Sequence, residues 1–208
     1  MSDRSSIIIV DYGVGNIASL ANMFDHVGAQ ARLCSDPLQI ERAPYLLLSG
    51  VGSFAHAMQS LWSRGLDGAI GSAVENGALL LGVCLGMQLL ARYSEEGDAE
   101  GLGLIAADVR RIVPSREGVK VPNMGWREVT PTRATWLAQG GDEPDRFYFA
   151  HSYHMICDDE SDVAATIDYD GVKTVAVAHG NVHGAQFHPE KSHRFGMRLL
   201  TDFARLAA

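Results

Sequence analysis

Four short apolar runs punctuate the first half of the chain: SIIIVDYG (residues 6–13), QARLC (30–34), YLLLSG (45–50) and ALLLGVC (78–84). Each is a short apolar run that ends in or beside Gly, Cys or Asp, the rhythm of a parallel sheet. Between them lie segments with helical periodicity, residues 17–27, 54–64 and 66–75, and a fourth, 85–93, follows the last run. Strand and helix alternating at this spacing predict a three-layer α/β fold. Past Gly97 the rhythm changes. WREVT, DRFYFAHSYHM, DVAATIDY, KTVAVAHG and VHGAQFH follow one another with turn residues between them and no helix, which predicts antiparallel or mixed strands extending the sheet. A last helix is expected over residues 194–207. No repeat, low-complexity tract or linker interrupts the chain, so the change at Gly97 marks a change of layer within one domain, residues 1–208.

Composition narrows the setting. With 208 residues and 47% hydrophobic content the chain can bury one full core. Its 25 acidic residues against 17 basic ones give a net charge of -8, and no long basic run offers a phosphate-backbone footprint. Nucleic acid is therefore not expected as a partner. The N-terminal apolar run is too short for a signal-peptide core and no segment approaches the roughly 18 apolar residues of a membrane span, so a cytoplasmic protein is expected, with no membrane partner. Cys34, Cys84 and Cys157 are an odd set without close pairs, which fits reduced thiols better than a disulfide framework or a zinc site.

Cys84 sits in Gly82-Val83-Cys84-Leu85-Gly86, between a predicted strand and a predicted helix. That is the G-x-nucleophile-x-G elbow with cysteine at its centre. Glycines on either side let strand and helix approach while the middle residue takes a strained backbone that pushes its side chain out of the sheet. A helix N-terminus also favours a thiolate, and the Leu85 amide points where an oxyanion would form. The pattern alone leaves two readings open, a nucleophile or a packed thiol. A thiol nucleophile needs a base and a group to orient it. AQFHPEKS supplies both, His188 after an apolar strand and Glu190 two residues on, with proline fixing the turn. An isolated H-P-E reads as a surface turn; beside a cysteine elbow it reads as a Cys84-His188-Glu190 triad.

These residues resemble the class I (triad) glutamine amidotransferases, whose elbow reads G-x-C-x-G and whose later H-P-E completes the triad. The resemblance covers essentially the whole chain, because SGVGSF, GMQLL, VPNMGW, FYFAHSY and QFHPEKS follow in family order. It implies a flavodoxin-like fold, with a mainly parallel sheet extended by antiparallel strands, and hydrolysis of L-glutamine through a cysteine thioester. It implies that an amide of Val51 or Gly52 joins Leu85 as oxyanion donor, and that Gly50, Gln88, Ser152 and Tyr153 contact the substrate. Within the family the set is similar to glutaminase subunits that feed ammonia to a (β/α)8-barrel cyclase as a heterodimer in histidine biosynthesis, which places Asn16, Trp126, Tyr148 and Lys191 at the partner interface. Three residues depart from that pattern: Ser49 stands where proline is usual, and Asn123 and Arg127 replace histidine and asparagine. They lie where partner contact is expected, which keeps open a paralogous subunit supplying a synthase for a nucleotide or lipopolysaccharide sugar. A stand-alone γ-glutamyl hydrolase could use the same triad; a silent binding subunit would be expected to lack part of it.

Two further patterns carry less. Gly13-Val14-Gly15 resembles a truncated dinucleotide loop, but Ala18 occupies the third glycine position. His151 and His154 are three apart on a predicted strand and point to opposite faces, and His179 and His183 lack a third ligand, so neither a metal nor a cofactor is expected.

Overall fold

A computed structural model describes residues 7–133, 135–137 and 143–207. Its strands, in chain order, are β1 (Ile7–Val10), β2 (Ala31–Cys34), β3 (Tyr45–Gly50), β4 (Leu79–Cys84), β5 (Tyr93–Ser94), β6 (Ala99–Glu100), β7 (Ala107–Arg111), β8 (Asn123–Pro131), β9 (Asp145–His151), β10 (Tyr153–Cys157), β11 (Val163–Asp168), β12 (Val172–His179) and β13 (Val182–Ala185). The helices are α1 (Ile17–His26), α2 (Pro37–Glu41), α3 (Phe54–Ser63), α4 (Leu66–Glu75), α5 (Leu85–Leu89) and α6 (His193–Leu206). The main sheet runs β2-β1-β3-β4-β13-β12-β10-β7-β5-β6. From β2 to β13 neighbours are parallel; β12 and β10 continue it antiparallel. β11 leaves β12 to pair with β8, which forms an antiparallel ribbon with β9.

The unbroken apolar runs have a direct cause. In β1, Ile8 and Val10 join one apolar layer with Met58 and Leu61 of α3 and Ile70 of α4, while Ile7 and Ile9 join another with Phe24 of α1 and Leu199 and Phe203 of α6. Helices cover both faces, so no position on the strand is left for a polar side chain. Truncating one of these, such as Leu47 or Leu81, should cost about 2–5 kcal/mol. The β8–β9 ribbon joins the α1/α6 side through Val129, Phe147 and Phe149, with Phe147 stacked on Phe187 at 3.8 Å.

The architecture follows the predicted α/β class, with four differences. The helix expected over 85–93 ends at Leu89. The carbonyl of Leu89 accepts from Leu102 N–H (2.8 Å) and that of Leu90 from Leu104 and Ile105 N–H (2.9 and 3.0 Å), so tertiary bonds take acceptors a longer helix would use. The run 145–155, expected as one strand, bends at Ser152: β9 pairs with β8, and β10 with β7 and β12. The helix α2 was not expected, although Asp36 caps it by accepting from Leu38 N–H (3.0 Å) and Pro37 occupies its first turn. β13 enters the middle of the sheet, parallel to β4, rather than lengthening its far edge.

This order places the functional loops. Gly50 pairs with Cys84 and Val83 with Ala185, so β3, β4 and β13 end along one edge, where ligands of open α/β sheets bind. No described helix is long and apolar enough to cross a membrane.

Candidate active site

The elbow is built by exclusion of side chains. A Cβ on Gly82 would lie 2.6 Å from the Gly86 carbonyl oxygen, and one on Gly86 would lie 1.8 Å from the Leu48 carbonyl oxygen. Only glycine lets β4, α5 and β3 come this close. Between the two glycines Cys84 holds φ 55° and ψ −112°, a left-handed conformation that costs a side-chain-bearing residue roughly 1–3 kcal/mol. The surrounding strands enforce it, and α5 begins at the next residue.

The base arrives on a turn held from three sides. His188 N–H donates to the Tyr148 carbonyl of β9 (2.9 Å), Ser192 Oγ donates to the His188 carbonyl (2.6 Å), and Tyr148 N–H donates to Ser192 Oγ (3.0 Å). At the front of α6, a Cβ on Gly196 would fall 1.9 Å from the Pro189 carbonyl oxygen. His188 Nδ1 lies 2.9 Å from Glu190 Oε1, both side chains buried. Burial alone would disfavour the imidazolium, but hydrogen bonds to Cys84 and Glu190 and the charges of both outweigh it, lifting the histidine to about 9. The ring faces the carboxylate through Nδ1 and shares the cleft lining with Cys84.

A cleft of about 380 Å³ opens above the pair. Cys84, Leu85 and Gln88 reach it from the elbow and α5, and Val51 and Gly52 from the loop after β3. Ser152 and Tyr153 come from the bend between β9 and β10, His188 and Lys191 from the turn after β13. Gly50 is not part of the lining. It lies behind the loop, where a Cβ would meet the Tyr12 hydroxyl at 2.2 Å; that hydroxyl is buried and has no partner among the described residues, and burial raises its pKa. Trp126, Tyr148 and Lys191 form one cluster: Tyr148 meets Trp126 edge-on at 6.3 Å, and Lys191 Nζ lies 5.6 Å from the Tyr148 ring centre. Trp126 also stacks on His193 at 5.4 Å. Asn16 stands apart from the cleft lining, exposed at the start of α1, where it accepts from Ser19 Oγ (2.9 Å). His151 and His154 fall on two different strands across the Ser152 bend, and no group of three His, Cys, Asp or Glu side chains among the described residues could hold a metal.

Three lining or supporting groups escaped the sequence. Gln186, fully buried, accepts from Gln88 Nε2 (2.8 Å) and presents its own Nε2 3.9 Å from Cys84 Sγ. A glutamine inside the apolar strand GAQF was its signal, since a buried amide needs partners. Glu96 lines the cleft with Oε2 accepting from Phe54 N–H (2.9 Å). In SEEGD it looks like any loop acid. His151 lines the cleft beside Tyr153, whose carbonyl accepts from both Gln88 Nε2 (3.2 Å) and His151 Nδ1 (2.7 Å).

The comparisons with known proteins agree with this geometry. Residues 8–206 match the family model for glutamine amidotransferase class-I, and the chain belongs to that family. It is 45% identical over 201 residues to the imidazole glycerol phosphate synthase subunit HisH 2 of Pseudomonas aeruginosa, covering 96% of this chain and 99% of the relative. The subunit of the same name from Methanococcus maripaludis is 43% identical, covering 97% and 100%. The subunit HisH of Sulfurimonas denitrificans is 45% identical, covering 96% and 97%. Among solved structures, a glutamine amidotransferase superposes with a TM-score of 0.74 at 21% identity, covering 97% of this chain and 98% of that one, a likeness of fold.

Proposed function

We propose that this chain is the glutaminase subunit of an imidazole glycerol phosphate synthase, a single cytoplasmic domain that hydrolyses glutamine and passes the ammonia to a (β/α)8-barrel cyclase. The observation that carries it is the meeting of Cys84 and His188 in the lining of one cleft, with His188 Nδ1 2.9 Å from the buried Glu190 carboxylate. Cys84 Sγ attacks the side-chain amide carbon of glutamine, and the carbonyl electrons move onto oxygen. Leu85 N–H and an amide of Val51 or Gly52 receive that oxyanion. His188 gives its proton to the amide nitrogen, the C–N bond breaks, and ammonia leaves a thioester. Neutral His188 then takes a proton from water as the oxygen adds to the thioester; the C–S bond breaks, glutamate departs and the sulfur and imidazolium are restored. Glu190 fixes the ring throughout. At the amino-acid end the Glu96 carboxylate suits the substrate ammonium, and Gln88, Ser152 and Tyr153 form the wall against it.

High identity over nearly the full length of several synthase subunits supports the cyclase as partner. The face it would cover includes Trp126, Tyr148, Lys191 and Asn16. A glycine-bearing loop at the oxyanion position can rest in a wrong orientation until the partner selects the right one, and each 1.4 kcal/mol of bias lowers turnover about tenfold. The test is steady-state glutamine hydrolysis by the chain alone, with the cyclase, and with the cyclase plus its ligand. Rates should rise in that order. Equal rates would favour a stand-alone hydrolase. Asn123 and Arg127 favour one second reading, a paralogous subunit serving a synthase for a nucleotide or lipopolysaccharide sugar; stimulation by such a synthase and not by the cyclase would establish it.

A further inference from the structure

The two residues that depart from the family pattern on β8 are joined to the cleft by an unbroken chain of hydrogen bonds. Arg127 Nε donates to Asn123 Oδ1 (3.1 Å), and Asn123 Nδ2 lies 3.0 Å from His151 Nε2. His151 Nδ1 lies 2.7 Å from the Tyr153 carbonyl, which also accepts from Gln88 Nε2, and Gln88 continues through Gln186 to Cys84. Asn123 is fully buried and His151 nearly so, and β8–β9 pairing sets them directly opposite each other.

The proton positions in this chain are determined. A guanidinium can only donate, so it claims the amide oxygen of Asn123 and turns the amide N–H toward His151. His151 Nε2 must then accept. The other ring nitrogen faces a carbonyl, so it must carry the hydrogen. The ring is satisfied only as the neutral Nδ1–H tautomer; a second proton on Nε2 would point at an N–H. Arg127 is itself fixed from outside, stacked over the Tyr169 ring at 4.8 Å, while Tyr169 donates its hydroxyl to the Lys120 carbonyl.

We propose that Asn123 and Arg127 act together as positioning residues for glutamine, holding His151 in its neutral Nδ1–H form so that the Tyr153 carbonyl keeps a fixed donor and the cleft wall carries no second positive charge beside His188. Burial, the largest influence, pushes His151 down to about 4, and the titratable groups facing it, His154 on β10 and His188 on the turn after β13, act in the same direction. Without Arg127 the Asn123 amide is free to turn its oxygen to His151 and accept a proton from Nε2. An aspartate at 123 would demand that proton outright.

This inference rests on the glutaminase reading only for its substrate, so the experiment has two arms. In the first, nitrogen NMR of the histidine rings of the full chain, with His151→Asn to assign the signal, is followed against pH without substrate. The wild type should show neutral Nδ1–H at pH 7 and titrate near 4; Asn123→Asp should titrate at least about two units higher, each unit being tenfold in proton affinity, and Arg127→Met should shift the same way by less. In the second, glutamine hydrolysis with the partner should show KM raised about tenfold in Asn123→Asp, the effect of a second positive charge on the cleft wall, with kcat much less changed. Arg127→Met carries both arms if Asn123→Asp does not fold. A wild-type ring protonated on Nε2, or variants that titrate as the wild type does, would overturn the proposal. A shifted titration with no glutaminase activity in any form would instead overturn the substrate and leave the proton assignment standing.

Discussion

Cys84 and His188 meet across one cleft but are positioned by different means. The nucleophile is held by close packing: two glycines in five consecutive residues leave no room for a side chain, and β3 and α5 close on the backbone of Cys84. The base is held by hydrogen bonds. Lys191 N–H closes the H-P-E turn on the His188 carbonyl (3.1 Å), and Tyr148 of β9, Ser192 just before α6 and Gly196 within it pin the turn from outside. A site assembled this way should fail differently on its two sides, fold and activity together at the elbow, activity first at the turn.

The largest expected effects remove the reacting groups. Cys84→Ala and His188→Ala should each lower partner-stimulated ammonia release at least about a thousandfold, with circular dichroism unchanged. Glu190→Gln should be milder, because the nucleophile and base remain while only the orientation of the ring degrades.

Next comes the elbow. Gly86→Ala puts a methyl group 1.8 Å from the Leu48 carbonyl oxygen. Backbone on both sides has to move, and the denaturation midpoint should show a loss of about 3 kcal/mol or more, beyond a usual overpacked core. Unchanged stability would show that β3 and α5 are not held as tightly as the nucleophile side requires.

The turn should respond more gently in stability. Ser192→Ala leaves Tyr148 N–H without its partner and the His188 carbonyl with Lys191 N–H alone, a cost of about 1–3 kcal/mol. We expect kcat to fall by roughly tenfold while alkylation of Cys84 proceeds as before. If alkylation fell equally, the two halves would be one cooperative unit and the contrast between them would vanish.

The last effect is in pH. His188 is raised to about 9 in the folded protein, so its contribution to stability is complete below the ordinary histidine value near 6.5 and is lost as pH rises through about 9. His151, His154 and His183 are pushed down to about 4, chiefly by burial, so each withdraws stability as pH falls from about 6.5 toward 4. The melting temperature should peak near 6.5. In His188→Gln the alkaline decline between 6.5 and 9 should flatten while the acid decline persists.

The same contrast explains what could be read from the sequence. Continuous apolar runs marked β1, β3 and β4 almost to the residue, because both faces of these strands are buried, and YLLLSG is β3 in full; the edge strand β2 leaves Arg32 and Leu33 exposed. The elbow was legible because its constraint is local. Helix α5 was drawn too long, since the bonds from Leu102 and Leu104 that take its carbonyls come from a loop with no pattern of its own. DRFYFAHSYHM looked like one strand because alternation carries through Ser152 while the partners change. Gln88 was expected free to meet substrate, yet its amide nitrogen is engaged by Gln186 and Tyr153. Asn123 and Arg127 stood out only as departures; that they satisfy each other and His151 depends on β8–β9 register, which the sequence does not display.

The central claim is that one thiol, Cys84, is the nucleophile toward glutamine. Cys157 is a poor rival, because burial first and the nearby Asp162, Asp158 and Asp159 push its thiol up to about 11, and Cys34 is buried with its sulfur toward the Asp36 carbonyl. The direct measurement is peptide mapping by mass spectrometry after treatment with a glutamine-like diazo ketone, beside an assay of ammonia release. The account predicts a single adduct on Cys84, formed in parallel with loss of glutaminase activity and prevented by excess glutamine. First labelling at Cys34 or Cys157, or wild-type ammonia release from Cys84→Ala, would contradict it.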